Sequence, residues 1–223
     1  QAKYARYVRA SGGEAEFTPA EDTRNKEVGV KEDALRWNMR YKNNAMPTIS
    51  SALLLECEPF LRELLQKSQN KALDIACGNG RNSKFLSLLG FEVDCVDISE
   101  VGLSALANYP HTNTILTDLD TFSIDFGYDV ICDFYFLDRR FFPQIRRALN
   151  VGGIFIFESF SQAPKDFFLQ DAKLLDSNRS LESSELVKEF EGFKILLNEY
   201  KYVFREGLPH CVQMFVAQKI FDS

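Results

Sequence analysis

Apolar residues fall in short blocks whose spacing switches between strand and helix periods, most clearly between Lys71 and Asp97. Ala72 to Ala76 is an apolar run carrying a single acid, Asp74. Cys77-Gly78-Asn79-Gly80 is too rich in glycine for either regular element, whereas Arg81 to Leu89 sets Phe85, Leu86 and Leu89 at helical spacing and Gly90 stops it. Glu92 to Asp97 is a second apolar strand that ends on an acid. Strand, glycine turn, helix and strand within about 30 residues is a βαβ unit.

The flanking pattern fits the same layered plan. Leu35 to Pro47 predicts a helix with Trp37, Arg40 and Tyr41 on one face. Ala52 to Lys67 is helical by its leucines, with a kink or a fresh start at Pro59. Ser99 caps a helix expected to run through Asn108, Asn113 to Thr117 is a short strand, and Tyr128 to Cys132 is a fourth, buried one. Leu137 to Leu149 is helical, and Asn150-Val151-Gly152-Gly153 turns into a strand from Ile154 to Phe160. Gln162 to Arg179 is irregular, and Leu181 to Phe190 predicts a helix capped by Ser180. Lys194 to Phe204 and Cys211 to Lys219 alternate apolar and polar residues as an antiparallel hairpin.

Composition narrows the function classes. The chain has 223 residues and a net charge of −6, which argues against nucleic acid as a partner because a phosphate-binding face needs a basic excess. No apolar run approaches the ~18–20 residues of a membrane helix. The five cysteines are widely spaced and lack C-x-x-C pairs, so buried free thiols in a reducing, cytoplasmic compartment are expected, and no metal site is. Residues 1–35 form an expected N-terminal arm, with Glu14 to Asp33 polar and of little periodicity. Residues 36–223 form the main domain.

The central unit has a chemistry of its own. Its glycines let the backbone pass close to a ligand, and the helix after the turn offers free N–H groups to an anion. Asp97, at the end of the second strand, is placed to accept hydrogen bonds from both hydroxyls of a ribose. A dinucleotide fingerprint needs a third glycine where Ser83 stands. That serine disfavours a nicotinamide-dependent oxidoreductase, which stays open as one alternative reading. A non-catalytic nucleoside-binding module of the same fold is another.

The stretch resembles motif I of the class I S-adenosylmethionine-dependent methyltransferases, D-x-G/A-C-G-x-G, with Ala76 in place of the commoner first glycine. Within that class, A-C-G-N-G-R-N-S followed by L-G-F-E-V-D-C-V-D, and W-x-x-R-Y upstream, look like the tellurite-resistance and thiopurine-type enzymes. The resemblance covers Trp37 to Lys219. It implies an α/β, Rossmann-like fold: a seven-stranded, mostly parallel sheet closed by the antiparallel hairpin, with helices on both faces. It implies that S-adenosyl-L-methionine is held by Asp74, Ala76, Cys77, Gly78, Gly80, Arg81, Asn82, Asp97, Ile98, Asp118, Leu119 and Asp133, with Asp118 at the adenine. Residues 36–50, with Trp37 and Arg40, would be a lid over the cofactor, and Arg40 would partner its carboxylate. Phe134, Tyr135, Asp138, Arg139 and His210 are the substrate candidates, and the acceptor is expected to be a small molecule such as a thiol or chalcogen oxyanion. The sequence names no catalytic base: a soft acceptor needs no strong one, whereas a hydroxyl or amine would. Oligomeric state is left open.

Overall fold

The computed structural model describes residues 19–43, 46–66, 69–167, 179–205 and 207–221. Within them the chain builds one seven-stranded sheet. Its strands are β1 (Lys71–Ile75), β2 (Glu92–Asp97), β3 (Thr112–Leu116), β4 (Tyr128–Phe134), β5 (Leu149–Phe160), β6 (Lys194–Arg205) and β7 (Leu208–Gln218), in the spatial order β3-β2-β1-β4-β5-β7-β6. β1 pairs in parallel with both β2 and β4, whereas β7 runs antiparallel to β5 and to β6. The strand order reverses at β1, so the crevice between the carboxyl ends of β1 and β4 is where such sheets take ligands.

Strand alternation divides the core in two. Leu73, Ile75, Ile131, Phe155, Phe157 and Phe215 point to one face, against Phe141, Phe142 and Ile145 of α6 (Phe141–Ala148) and Leu186 of α7 (Glu185–Glu189). Phe190 stacks on Phe155 there, with ring centroids 4.9 Å apart. Ala72, Val93, Cys95, Val130, Cys132, Ile156 and Val216 point to the other face. That face is covered by α2 (Ala52–Glu56), α3 (Glu58–Leu65), α4 (Arg81–Leu89) and α5 (Glu100–Ser104). All seven residues of β4 are buried, as expected of a parallel strand covered on both faces.

The expected fold is the observed one, including the fresh helical start at Pro59, which sits in the first turn of α3. Several boundaries differ, each for a local reason. Helix α1 (Pro19–Lys42) runs without a break across residue 35, where the sequence suggested the end of an arm. Its charged stretch lacks an apolar stripe yet is rich in strong helix formers. Residues 1–18 lie outside the described residues, as does most of the irregular stretch Gln162 to Arg179.

Helix α5 stops at Ser104 rather than Asn108, although Ser99 does cap it by accepting from the Gly102 N–H. The helix expected from Leu137 begins only at Phe141, because Asp138 first closes a turn by accepting from the Arg140 N–H at 2.9 Å. β5 starts at Leu149, ahead of the two glycines, with a register shift opposite Tyr128 and Val130. The helix expected over Leu181 to Phe190 is confined to Glu185–Glu189. Leu181 instead forms a parallel bridge with Ser161, and its N–H donates to the Phe160 carbonyl at 3.0 Å.

Candidate active site

The glycine turn leaves β1 through three left-handed residues, Ala76 at φ 54°, Gly78 at φ 61° and Gly80 at φ 68°. This winding turns the backbone through a tight arc, pinned where the Cys77 N–H donates to the Val96 carbonyl of β2. Asp97 braces the turn from the end of the neighbouring strand β2. Its Oδ2 accepts from the Gly78 N–H at 2.8 Å and its Oδ1 from the Ser99 N–H at 2.7 Å. The Ile98 N–H also donates to this carboxylate, which with about four lone-pair sites keeps capacity for a ribose hydroxyl. Asp74, buried inside β1, accepts from the Ser83 hydroxyl at 2.6 Å, a bond that a third glycine could not supply. Burial pushes both carboxyls up, each to about 6. The Cys77 thiol is also pushed well up, by burial first and by the neighbouring Cys95.

Helix α1 lies over this turn. Asn38 Oδ1 accepts from the Ser99 hydroxyl at 2.6 Å and from the Val101 N–H at 3.1 Å, which ties the helix to the start of α5. Tyr41 stands over Gly78 so closely that a Cβ on the glycine would collide with its hydroxyl oxygen. Burial, then the Asp97 charge, raises the Tyr41 phenol far above its ordinary range. Trp37 is half-buried beside it, with rings 6.3 Å apart, and the exposed Arg40 guanidinium lies 5.0 Å over the indole. Trp37, Arg40 and Tyr41 share one side of α1, and Tyr41 and Asn38 make its contacts with the turn.

The other cofactor candidates sit as follows. Asn82, in the first turn of α4, accepts from the Ser51 N–H at 2.9 Å, and Arg81 donates to the Ile49 carbonyl at 3.0 Å. Asp118 follows β3, where its Oδ1 accepts from the Asp120 N–H, while Leu119 turns inward and is buried. Ile98 lies between Asp97 and the capping Ser99, partly buried. Asp133 alternates with Cys132 and Phe134, so its side chain lies on the sheet face opposite Asp74, between Ile75 and Phe157. Burial holds its carboxyl well above the usual range.

Beyond β4 the substrate candidates separate into two groups. Asp138 is buried and engaged by the Arg140 guanidinium, and Arg139 forms a two-pronged pair with Glu185 while donating to the Ser180 carbonyl. Phe134 is buried in the core, but Tyr135, Phe160 and His210 come together at the crevice rim. Glu158 of β5, which no sequence motif singles out, is the hub of this rim. It accepts from the Tyr135 hydroxyl at 2.7 Å, from Lys201 Nζ at 2.9 Å and from the Ser51 hydroxyl at 3.3 Å. The available signal is a lone acid in the apolar strand Ile154 to Phe160, the same signal that marks Asp74 in β1.

Known proteins share this fold and part of this sequence. Residues 63–159 match the family model described as tellurite resistance protein TehB. The probable S-adenosyl-L-methionine-dependent methyltransferase TehB of Haemophilus influenzae is 37% identical over 95 residues, covering 37% of this chain and 33% of that protein. The chain thus spans about a third of the length of the curated relatives it matches. The crystal structure of TehB from Haemophilus influenzae superposes with a TM-score of 0.59 at 22% identity, covering 73% of this chain and 62% of that one. Burkholderia thailandensis 1,6-didemethyltoxoflavin-N1-methyltransferase superposes with a TM-score of 0.58 at 15% identity over 94% of both chains.

The chain has the class I methyltransferase fold, and its central segment matches the TehB family model. That segment runs from α3 to the end of β5 and so includes the glycine turn, Asp97, Tyr135 and Glu158. Among the described residues no group of three His, Cys, Asp or Glu side chains could hold a metal ion, and no helix is long and apolar enough to cross a membrane. All five cysteines are free and buried.

Proposed function

We propose that this protein transfers a methyl group from S-adenosyl-L-methionine to a small-molecule acceptor. The observation that carries the reading is Asp97 held across the glycine turn, by the Gly78 N–H on one oxygen and the Ser99 N–H on the other. This clamp fixes a carboxylate at the ribose position without using up its acceptor capacity. Asp74, with Ser83 behind it, offers a buried acid to the cationic methionyl end, and Asp118 stands after β3 on the adenine side. α1 covers the turn through Tyr41 and is tied to the start of α5 through Asn38.

Bound here, the cofactor supplies an electrophilic methyl group on a sulfonium. Transfer is an in-line displacement in which charge disappears, so alignment and a dry site are what the protein must provide. The TehB-type match over residues 63–159 and the 94% overlap with an enzyme whose structure holds S-adenosylhomocysteine support the reading. A thiol, a chalcogen oxyanion or a planar heterocycle falls within the acceptor class. Calorimetric titration with S-adenosylhomocysteine, with NADH as control, tests it: saturable micromolar binding of the former alone is expected. Binding of NADH alone, or of neither, would overturn it.

A further inference from the structure

Tyr135 and Glu158 meet twice. The Tyr135 N–H donates to the Glu158 carbonyl at 2.7 Å, and the Tyr135 hydroxyl donates to Glu158 Oε1 at the same distance. The double tie holds Tyr135 at φ 60°, a left-handed conformation that a bulky residue adopts only when its surroundings impose it. Strain of this kind concentrates where a side chain must be aimed. The ring lies edge-on to Phe160, with centroids 5.6 Å apart, and the Arg205 guanidinium sits 4.8 Å from the centre of each ring. His210 adds a further flat face 5.5 Å from Phe160. Behind the tyrosine, Glu158 is 3% exposed and reaches the cofactor side through Ser51, whose N–H donates to Asn82 of α4.

We propose that Tyr135 is the catalytic proton acceptor for an aromatic hydroxyl substrate, with Glu158 as the positioning residue that takes the proton onward. The assignment rests on the methyltransferase reading and goes further, because a soft thiolate or an ionised oxyanion needs no such relay. The acceptor's hydroxyl proton moves to Tyr135 Oη as the tyrosine's own proton moves to the Glu158 carboxylate. The acceptor oxygen forms its bond to the methyl carbon while the carbon–sulfur bond breaks, and both bonding electrons stay on sulfur. The sulfonium charge and the carboxylate charge vanish together, and Glu158 returns its proton to water when the product leaves. The aromatic wall of Tyr135, Phe160 and His210 suits a planar ring, and Arg205, which pairs with no carboxylate among the described residues, faces the oxygen as it gains charge. Burial and the Glu158 charge hold the Tyr135 phenol above its ordinary range, so it enters the cycle protonated.

The test compares wild type, Tyr135→Phe and Glu158→Gln with two probes at pH 8.5: 4-nitrophenol, which is ionised there, and 4-methylphenol, which is not. S-adenosylhomocysteine titration of all three proteins establishes the cofactor site separately and reports whether each variant is folded. Wild type should methylate both probes. Tyr135→Phe should lose about 100-fold in kcat for 4-methylphenol with little change in KM, and far less for 4-nitrophenol. A merely structural role would depress both probes alike. A pH profile gives the second readout: kcat for 4-methylphenol should fall on the acid side in wild type as the Glu158 carboxylate is lost, and Glu158→Gln should be slow with that acid limb absent. Equal losses for both probes, an unchanged acid limb in Glu158→Gln, or no methylation of either phenol overturns the proposal. If S-adenosylhomocysteine still binds in those cases, the cofactor reading survives.

Discussion

Tyr41 occupies the space above Gly78 that any other residue's Cβ would need, with its hydroxyl oxygen against that ideal position. A helix far away in sequence is thus fitted to one missing side chain in the turn. Gly78 also sits at φ 61°, where an L-residue is strained by roughly 1–2 kcal/mol. Gly78→Ala should therefore lower Tm and weaken S-adenosylhomocysteine binding. Adding Tyr41→Ala should recover part of the stability by removing the collision but none of the part due to φ. Thermal melts of the two single variants and the double variant separate the two effects, and additivity would show that the contact is not tight.

Asn38 anchors the same helix through a single side-chain oxygen that receives both the Ser99 hydroxyl and the Val101 N–H. Asn38→Ala leaves two partly buried donors without their acceptor, an effect of about 1–3 kcal/mol if the helix stays docked. Undocking α1 avoids that penalty. Amide exchange in residues 31–42 should therefore quicken in Asn38→Ala, while β1 and β4 stay protected. Adding S-adenosylhomocysteine should restore protection if α1 closes on the cofactor.

The two buried acids of the site give a pH dependence with a definite sign. Asp74 and Asp97 both titrate at about 6 in the fold, against an ordinary value of 3.8, with burial as the first cause. An acid whose folded pKa is raised contributes stability that is fully present below pH 3.8 and is lost as pH rises through about 6. The free protein at pH 7 therefore carries both charges at the expense of its fold. Ligand binding runs the other way, since ribose hydroxyls and an ammonium group need ionised acceptors. S-adenosylhomocysteine affinity should weaken about tenfold for each group between pH 7.5 and pH 5. Asp74→Asn should raise Tm of the free protein at pH 7.5 while losing most of the affinity. An affinity that is flat from pH 7.5 to pH 5 would remove both carboxylates from the binding site.

The sheet was legible because its signals are local. Glycines interrupt two apolar runs, and each run ends near an acid. Period-2 alternation marks the hairpin, and Pro59 punctuates the second helical stretch. α1 was partly hidden because it has no apolar stripe along its length: its docking rests on a hydrogen-bonding Asn38 and a Tyr41 packed over Gly78, near its carboxyl end. The helix before Phe190 is shorter than its pattern suggests because Leu181 extends β5 through backbone bonds that no side-chain pattern announces. Glu158 shows the same limit at the site. Its importance comes from Ser51, Tyr135 and Lys201, which lie 107, 23 and 43 residues away and converge only in the fold.

Arg139 is the residue for which sequence position and structural environment point in different directions. It follows β4 at the crevice, where an acceptor contact was expected, yet its guanidinium is committed to both oxygens of Glu185 and to the Ser180 carbonyl. Glu185 in turn receives the Glu182 N–H at 3.1 Å, so the pair fastens the loop after β4 to the start of α7. Both side chains are largely shielded, at 28% and 16% exposure, which makes the pair stronger than a surface bridge. Arg139→Gln should thus lower stability by about 1–3 kcal/mol, and a double-mutant cycle with Glu185→Gln should return a coupling of about 1–2 kcal/mol. S-adenosylhomocysteine affinity and the KM for a methylated phenol should stay within twofold of wild type, because neither interaction reaches Asp97 or Tyr135. A raised KM with an unchanged Tm would instead make Arg139 an acceptor contact and Glu185 its resting partner.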